Sequence, residues 1–203
     1  MAKRLPEKER REEILNACAK LYQEKGFRDI TIRDISTETS FSRPSIYNYF
    51  ETKEEIFLGL LTREYEMWTD ELIRLAGVCA GEKVSDPART IAGSLVGRET
   101  LLKITAMNLY EIEDHSRMER LVEFKTAFRT SMDAFDELLK AVAPGMTEER
   151  AEHVRMAFFP FLYGIYPYAF PTDKQLEAME KTGIKWKRET ICGMAEGLLR
   201  QVL

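Results

Sequence analysis

Between residues 31 and 53 the chain reads TIRDISTETSFSRPSIYNYFETK, and the helix-stopping and helix-starting residues in it stand so close together that no long element can pass through. Thr31 is a good N-cap, and Asp34, three residues on, can answer it as in a capping box, while Ile32 and Ile35 give the helix that follows an inward face. Ser40, Phe41 and Ser42 then break that helix. Ser42 can cap the next one, and Pro44 falls in its first turn, where a fixed φ is tolerated and the missing N–H costs nothing. The second helix therefore starts near Arg43 and has room for about two turns before Thr52 and Glu55 form a T-x-x-E box that opens a third helix.

Two short helices around a tight break, followed at once by another start, is how a helix-turn-helix looks in sequence. On the second helix Ile46 and Phe50, four apart, can anchor an inner face. Ser42, Arg43, Ser45, Tyr47, Asn48 and Tyr49 supply donors and acceptors on the rest. Arg can grip guanine and Asn adenine bidentately, while Ser and Tyr hydroxyls and Lys53 suit phosphate oxygens. Gly26-Phe27, Thr31, Ile35, Phe41-Ser42, Pro44, Tyr47, Tyr49-Phe50, Lys53 and Ile56 together resemble the tetracycline-repressor (TetR) signature over roughly residues 10–60. The resemblance implies a DNA-binding module in which Thr31, Ser42, Arg43, Pro44, Ser45, Tyr47, Asn48, Tyr49 and Lys53 face the duplex. Thr31, Tyr47 and Lys53 resemble the family's phosphate contacts, and Arg43, Ser45 and Asn48 are the candidates for base edges. The chain departs from the family pattern at Ser36 for Ala, Ser40 and Pro44 for Gly, and Tyr49 for His. Ser40 matters most, because a tight turn often needs the positive φ that Gly adopts freely.

Charge is distributed as this reading requires. The chain has 203 residues and a formal net charge of −4, yet residues 1–53 carry 11 Lys+Arg against 9 Asp+Glu. An acidic protein can still bind DNA when its positive charge is gathered on the docking face. Lys3, Arg4, Lys8, Arg10 and Arg11 form a basic leader, diluted by Glu7, Glu9, Glu12 and Glu13, that serves DNA or is simply a solvated tail. Cys18, Cys79 and Cys192 are far apart and form no C-x-x-C pair, which points away from a disulfide framework or zinc and toward a reducing cytoplasm. The first residues lack the apolar core of a signal peptide. The longest uncharged run, 156–172, holds three prolines and falls short of a membrane span, so a soluble protein with no membrane partner is expected.

The remainder reads as helix after helix, with no convincing alternating run for a strand. Helices are expected at 8–25 with Gly26 as C-cap, 53–76, two between 87 and 110 parted near Gly97, 117–142, 147–166, 172–181 and 185–203. The fold class is all-α: a helix-turn-helix DNA-binding domain over 1–52, and a larger helical domain over 53–203. The resemblance assigns effector binding and dimerisation to this second domain. Ile191, Met194, Ala195, Leu198, Leu199 and Val202 recur at helical spacing, and Gly193 and Gly197 permit close approach, so the last helix and the one over 148–166 are expected to form a dimer seam.

Seven aromatics fall between Phe158 and Phe170. They can line a pocket for a small, largely apolar effector, or serve as core or interface. Pro160 and Pro167 favour an opened helix there. Trp68, Met107, Tyr110, Phe124, Phe128, Tyr163 and Tyr166 are the candidate lining. Glu111 and His115, four apart, can share a helical face as metal ligands do, but no third ligand stands at proper spacing, and neither metal nor cofactor is expected. With two histidines in all and no G-x-S-x-G, P-loop or H-E-x-x-H, catalysis is disfavoured. The expected activity is that of a ligand-responsive repressor binding a palindromic operator in double-stranded DNA as a homodimer. The rival is a helical protein-interaction module without sequence-specific DNA binding, and exposure of Arg43, Ser45, Tyr47 and Asn48 together separates the two.

Overall fold

The computed structural model describes residues 6–203; Lys3 and Arg4 of the basic leader lie outside them. Ten helices follow in order: α1 (Glu7–Glu24), α2 (Ile32–Thr37), α3 (Arg43–Ile46), α4 (Lys53–Cys79), α5 (Pro87–Gly93), α6 (Glu99–Asp114), α7 (Met118–Val142), α8 (Glu148–Ala169), α9 (Asp173–Lys181) and α10 (Ile191–Val202), with a short 3-10 turn at Phe27–Asp29. The described residues contain no strand, so the protein is all-α. No helix among them is long and apolar enough to cross a membrane.

The chain forms two compact units. The first runs to Glu64 and takes in Asn108–Phe128; the second comprises Tyr65–Met107 and Arg129–Leu203. The boundary proposed at 52/53 from sequence marks the start of α4, whereas the units divide further along that helix. The physical reason is that the first turns of α4 belong to the head's core. Phe57 packs edge-on against Tyr22 at 5.0 Å and Phe27 at 4.8 Å, while Ile56, Leu60 and Leu61 are fully buried. The same unit buries Ile14, Cys18, Ile35, Ile46 and Phe50.

Glu55 is also wholly buried in this unit, and it is matched there. Its carboxylate accepts from Arg117 Nε at 2.6 Å and Nη2 at 2.8 Å, and from the backbone N–H groups of Glu51 and Arg117. Glu55 N–H in turn donates to Thr52 Oγ1 at 3.1 Å, so the T-x-x-E box opens α4 as expected, but the Glu reaches past Thr52 to Glu51. Burial works to raise the Glu55 pKa; the guanidinium and the two N–H donors outweigh it and hold the carboxyl below its ordinary value.

In the second unit Trp68, Phe135, Phe158 and Phe159 form an aromatic core, with Phe135 stacked on Phe158 at 5.0 Å and Trp68 5.7 Å from Phe159. α10 packs on α5 and α8. It turns Ile191, Ala195 and Leu199 inward, and leaves Met194, Leu198 and Val202 half-buried and Gly197 exposed. The stripe expected to make a dimer seam is therefore split, with half of it spent within the chain.

Three expectations change. Gly26 has φ −75° and is no left-handed cap; α1 ends one residue earlier than expected, at Glu24, and its cap is Lys25, whose N–H donates to Leu21 O. α8 runs unbroken through Pro160 and Pro167, because burial of Phe158, Phe159, Leu162 and Ile165 along it outweighs the ~3 kcal/mol an internal proline costs. The last helix starts at Ile191 rather than 185, where Thr190 Oγ1 caps Gly193 N–H at 3.0 Å. The expected break near Gly97 is present, with φ +73° at that residue.

Candidate nucleic-acid interface

The reading surface is built from its caps upward. Thr31 N–H donates to Asp34 Oδ2 at 2.9 Å and Asp34 N–H to Thr31 Oγ1 at 3.2 Å, the reciprocal box that starts α2. Thr31's hydroxyl and N–H hold the Asp34 carboxyl below its ordinary pKa. At the break no non-glycine residue among those described takes a positive φ, so Ser40 does without the freedom of Gly. Instead Glu13 on α1 accepts from Ser40 N–H, and Thr39 Oγ1 accepts from Phe41 N–H at 3.3 Å.

α3 is one turn long, shorter than the sequence implied. Pro44 sits in that turn, and Ser42 occupies the N-cap, though its hydroxyl meets Ser45 Oγ at 3.0 Å instead of capping an amide. Past Ile46 the backbone tightens, with Asn48 N–H on Ser45 O and Tyr49 N–H on Ile46 O, as Phe50 turns into the core. Ile46 and Phe50 are fully buried, so the opposite face must look outward. Arg43, Pro44, Tyr47 and Asn48 are exposed there, with Ser45 half-buried. This separates the two readings of the module: the donors that suit a duplex stand in solvent together, on a face unused by the core.

These side chains already have partners. Arg43 Nη2 donates to Tyr47 Oη at 3.1 Å, with the guanidinium carbon 5.8 Å from the ring centre. Lys53 Nζ donates to Phe27 O at 2.9 Å and lies 4.0 Å from that ring's centre. Tyr49 is half-buried, its hydroxyl accepting from Arg10 Nη1 at 3.2 Å and its carbonyl from Arg120 at 3.4 Å. Beside the reading segment is an open cleft of about 480 Å³, where Thr31 and Tyr47 meet four cations, Arg28, Arg33, Arg43 and Lys53. Sequence reasoning missed Arg28 and Arg33. Their signal was present, since they flank Thr31 at three residues before and two after, but nothing in periodicity says that the 3-10 turn and α2 face the same cleft.

A family model described as bacterial regulatory proteins of the tetR family matches residues 14–60, and one described as the tetracyclin repressor-like C-terminal domain matches residues 62–198. The chain belongs to the TetR family. Among curated relatives it is 39% identical over 54 residues to the uncharacterized HTH-type transcriptional regulator YdgC of Bacillus subtilis, covering 27% of this chain and 28% of that one. It is 30% identical over 63 residues to the HTH-type transcriptional activator FasR of Mycolicibacterium smegmatis, covering 31% and 29%. These matches therefore span under a third of either relative's length. In overall fold the chain is similar to a putative TetR-family regulator from Mesorhizobium loti, with TM-score 0.60 at 16% identity over 98% of both chains. It is also similar to the fatty acid degradation regulator FadR from Bacillus halodurans, with TM-score 0.58 at 14% identity over 99% and 97%.

The seven candidate effector contacts divide between the two units. Tyr110, Phe124 and Phe128 belong to the first unit, and Trp68, Met107, Tyr163 and Tyr166 to the second. Tyr110 is 94% and Met107 56% exposed, so neither lines an enclosed cavity. Phe124 is fully buried. Trp68 is buried too, its indole N–H donating to Ser94 Oγ at 3.0 Å. Tyr166 is half-buried, and burial first, then the charge of Glu99, pushes its phenol up. His115 turns Nδ1 onto Glu111 O at 2.9 Å, and no cluster of three or more metal-ligating side chains occurs among the described residues.

Proposed function

We propose that the protein is a cytoplasmic, ligand-responsive repressor that binds a near-palindromic operator as a homodimer. The observation that carries the DNA reading is the joint exposure of Arg43, Tyr47 and Asn48 above a cleft carrying Arg28, Arg33 and Lys53. A reading segment this short contacts few base pairs, so useful specificity needs two copies on half-sites about 34 Å or a multiple apart. Thr31, Ser42, Pro44 and Ser45 position the module, Arg43 and Asn48 read bases, and the surrounding cations hold phosphates. The half-buried Met194 and Leu198 of α10, with Met156 exposed on α8, supply the apolar face for a second copy.

For the effector we favour a small, largely apolar compound in the second unit, near Trp68, Tyr163 and Tyr166, with the tyrosine hydroxyls to orient it. A FadR from Bacillus subtilis, similar in fold at TM-score 0.53 and 15% identity, was solved in complex with stearoyl-CoA, which makes long-chain acyl compounds the first probes. α4 runs without a break through the residues of both units, a continuous element on which effector binding can act. The test is a salt-sensitive mobility shift of the protein's own promoter DNA, then release by stearoyl-CoA in titration. Folded protein that gives no shift overturns the DNA reading. A compound that raises the melting temperature yet leaves operator affinity unchanged overturns the switch.

A further inference from the structure

Two of the positions where this chain departs from the family pattern are both held from one helix. Ser40, in the turn, gives its N–H to Glu13, and Tyr49, at the end of the reading segment, takes a hydrogen bond from Arg10 at 3.2 Å. Arg10 and Glu13 lie three apart, one turn of α1, and so share a face. The Arg10 guanidinium also lies 5.4 Å from the ring centre of Phe41, the residue between the turn and α3. Farther along α1, Lys20 pairs with Glu38, the residue that ends α2. One helix thus grips the end of α2, the turn, and the far end of the reading segment.

α3 needs such grips because it cannot orient itself. It has a single turn, and its N-cap hydroxyl meets Ser45 Oγ instead of an amide, leaving the backbone bond from Ser45 N–H to Ser42 O at 2.8 Å to close that turn. Only Ile46 and Phe50 root it in the core. A bidentate contact from Arg to guanine or from Asn to adenine requires a fixed plane of approach, so a small rotation of α3 loses base discrimination while phosphate attraction persists. We infer that Arg10 and Glu13 are positioning residues that set the angle at which Arg43 and Asn48 meet the bases, and that Tyr49 acts on the operator through Arg10 instead of touching DNA. This rests on the reading of α3 as the DNA-reading element.

The test uses the full chain. The wild-type protein first selects a preferred duplex from a random pool; no enrichment there sinks the DNA reading itself, before any variant is made. Tyr49→Phe, Arg10→Gln, Glu13→Ala and Glu13→Gln are then measured on that duplex and on a scrambled one of equal length, over a series of salt concentrations, with melting temperature alongside. Tyr49→Phe, Arg10→Gln and Glu13→Ala are expected to lower the preferred-to-scrambled ratio about tenfold, the effect of one lost hydrogen bond, with scrambled affinity and salt slope unchanged. Glu13→Gln, whose amide oxygen still accepts from Ser40, keeps the ratio. The proposal is overturned if Tyr49→Phe and Arg10→Gln retain the wild-type ratio. It is equally overturned if Arg10→Gln lowers the slope of log K against log salt by about one, the mark of a direct phosphate contact. Loss of the ratio in Glu13→Gln as large as in Glu13→Ala likewise contradicts it.

Discussion

The two units use their distinctive side chains in opposite ways. In the first, the side chains proposed to serve DNA are exposed or half-buried and are held by directional polar contacts: Arg43 to Tyr47, Lys53 to the Phe27 carbonyl, Arg10 to Tyr49. In the second, the aromatics face one another, as Phe135, Phe158, Phe159 and Trp68 do, and little of their surface is left over. Stability in the second unit comes from apolar area, which is non-directional; the DNA selectivity proposed for the first rests on a few bonds whose geometry matters more than their energy. Substitutions in the two units should therefore separate stability from selectivity.

The largest effect on stability is expected in the body. Phe158→Ala removes a fully buried ring stacked on Phe135 and should cost about 4 kcal/mol in urea unfolding, while DNA selectivity per folded molecule stays at the wild-type ratio. A change in selectivity would break the contrast. Next comes the buried ion pair of the first unit. Glu55→Gln, which removes the buried carboxylate and leaves Arg117 with only its ion pair to Glu51 at 3.0 Å, should cost about 2 kcal/mol near neutral pH. Because the folded-state pKa of Glu55 is depressed, that contribution is complete above the unfolded value of about 4.3 and is lost as pH falls through the folded value. The wild-type and variant unfolding curves should therefore converge in acid; a gap that widens there contradicts the sign.

Smaller effects belong to the reading face. Arg43→Ala should cost about 1–3 kcal/mol of binding to the preferred site and relax one base position, with melting temperature unchanged because the side chain is exposed. Smallest is Thr31→Ala, which removes one side of the α2 capping box and should lower stability by about 1 kcal/mol. Lys53 sharpens the comparison. As a phosphate contact its loss lowers the salt slope by about one, and as the tie to Phe27 O its loss lowers the melting temperature; the geometry predicts both, where the family resemblance alone gives the first.

What was legible in the sequence follows the same division. Caps are local signals, so Thr31 with Asp34, Ser42, Thr52, Asp86, Thr147 and Thr172 all stand where helices start. Thr190 is an equally good cap, but Lys185, Trp186, Lys187 and Arg188 are compatible with helix and drew the expected start too early. The proline argument failed at α8 because it weighed a lost hydrogen bond without the burial around it. Which aromatics meet is a long-range property, and periodicity could not show that Tyr110 faces solvent while Phe124 is buried, or that both lie in the head's unit. Arg28 and Arg33 stayed hidden for the same reason, since only the fold brings the turn before α2 beside α3.

The central claim is that the outward face of α3 reads base edges, and selection from a random DNA pool with wild-type and Arg43→Ala proteins in parallel tests it most directly. The account predicts a near-palindromic consensus with half-sites about 34 Å or a multiple apart, and loss of preference at one symmetry-related base position in the variant. A folded wild-type protein that enriches no sequence, or an Arg43→Ala protein that enriches the unchanged consensus, would contradict it.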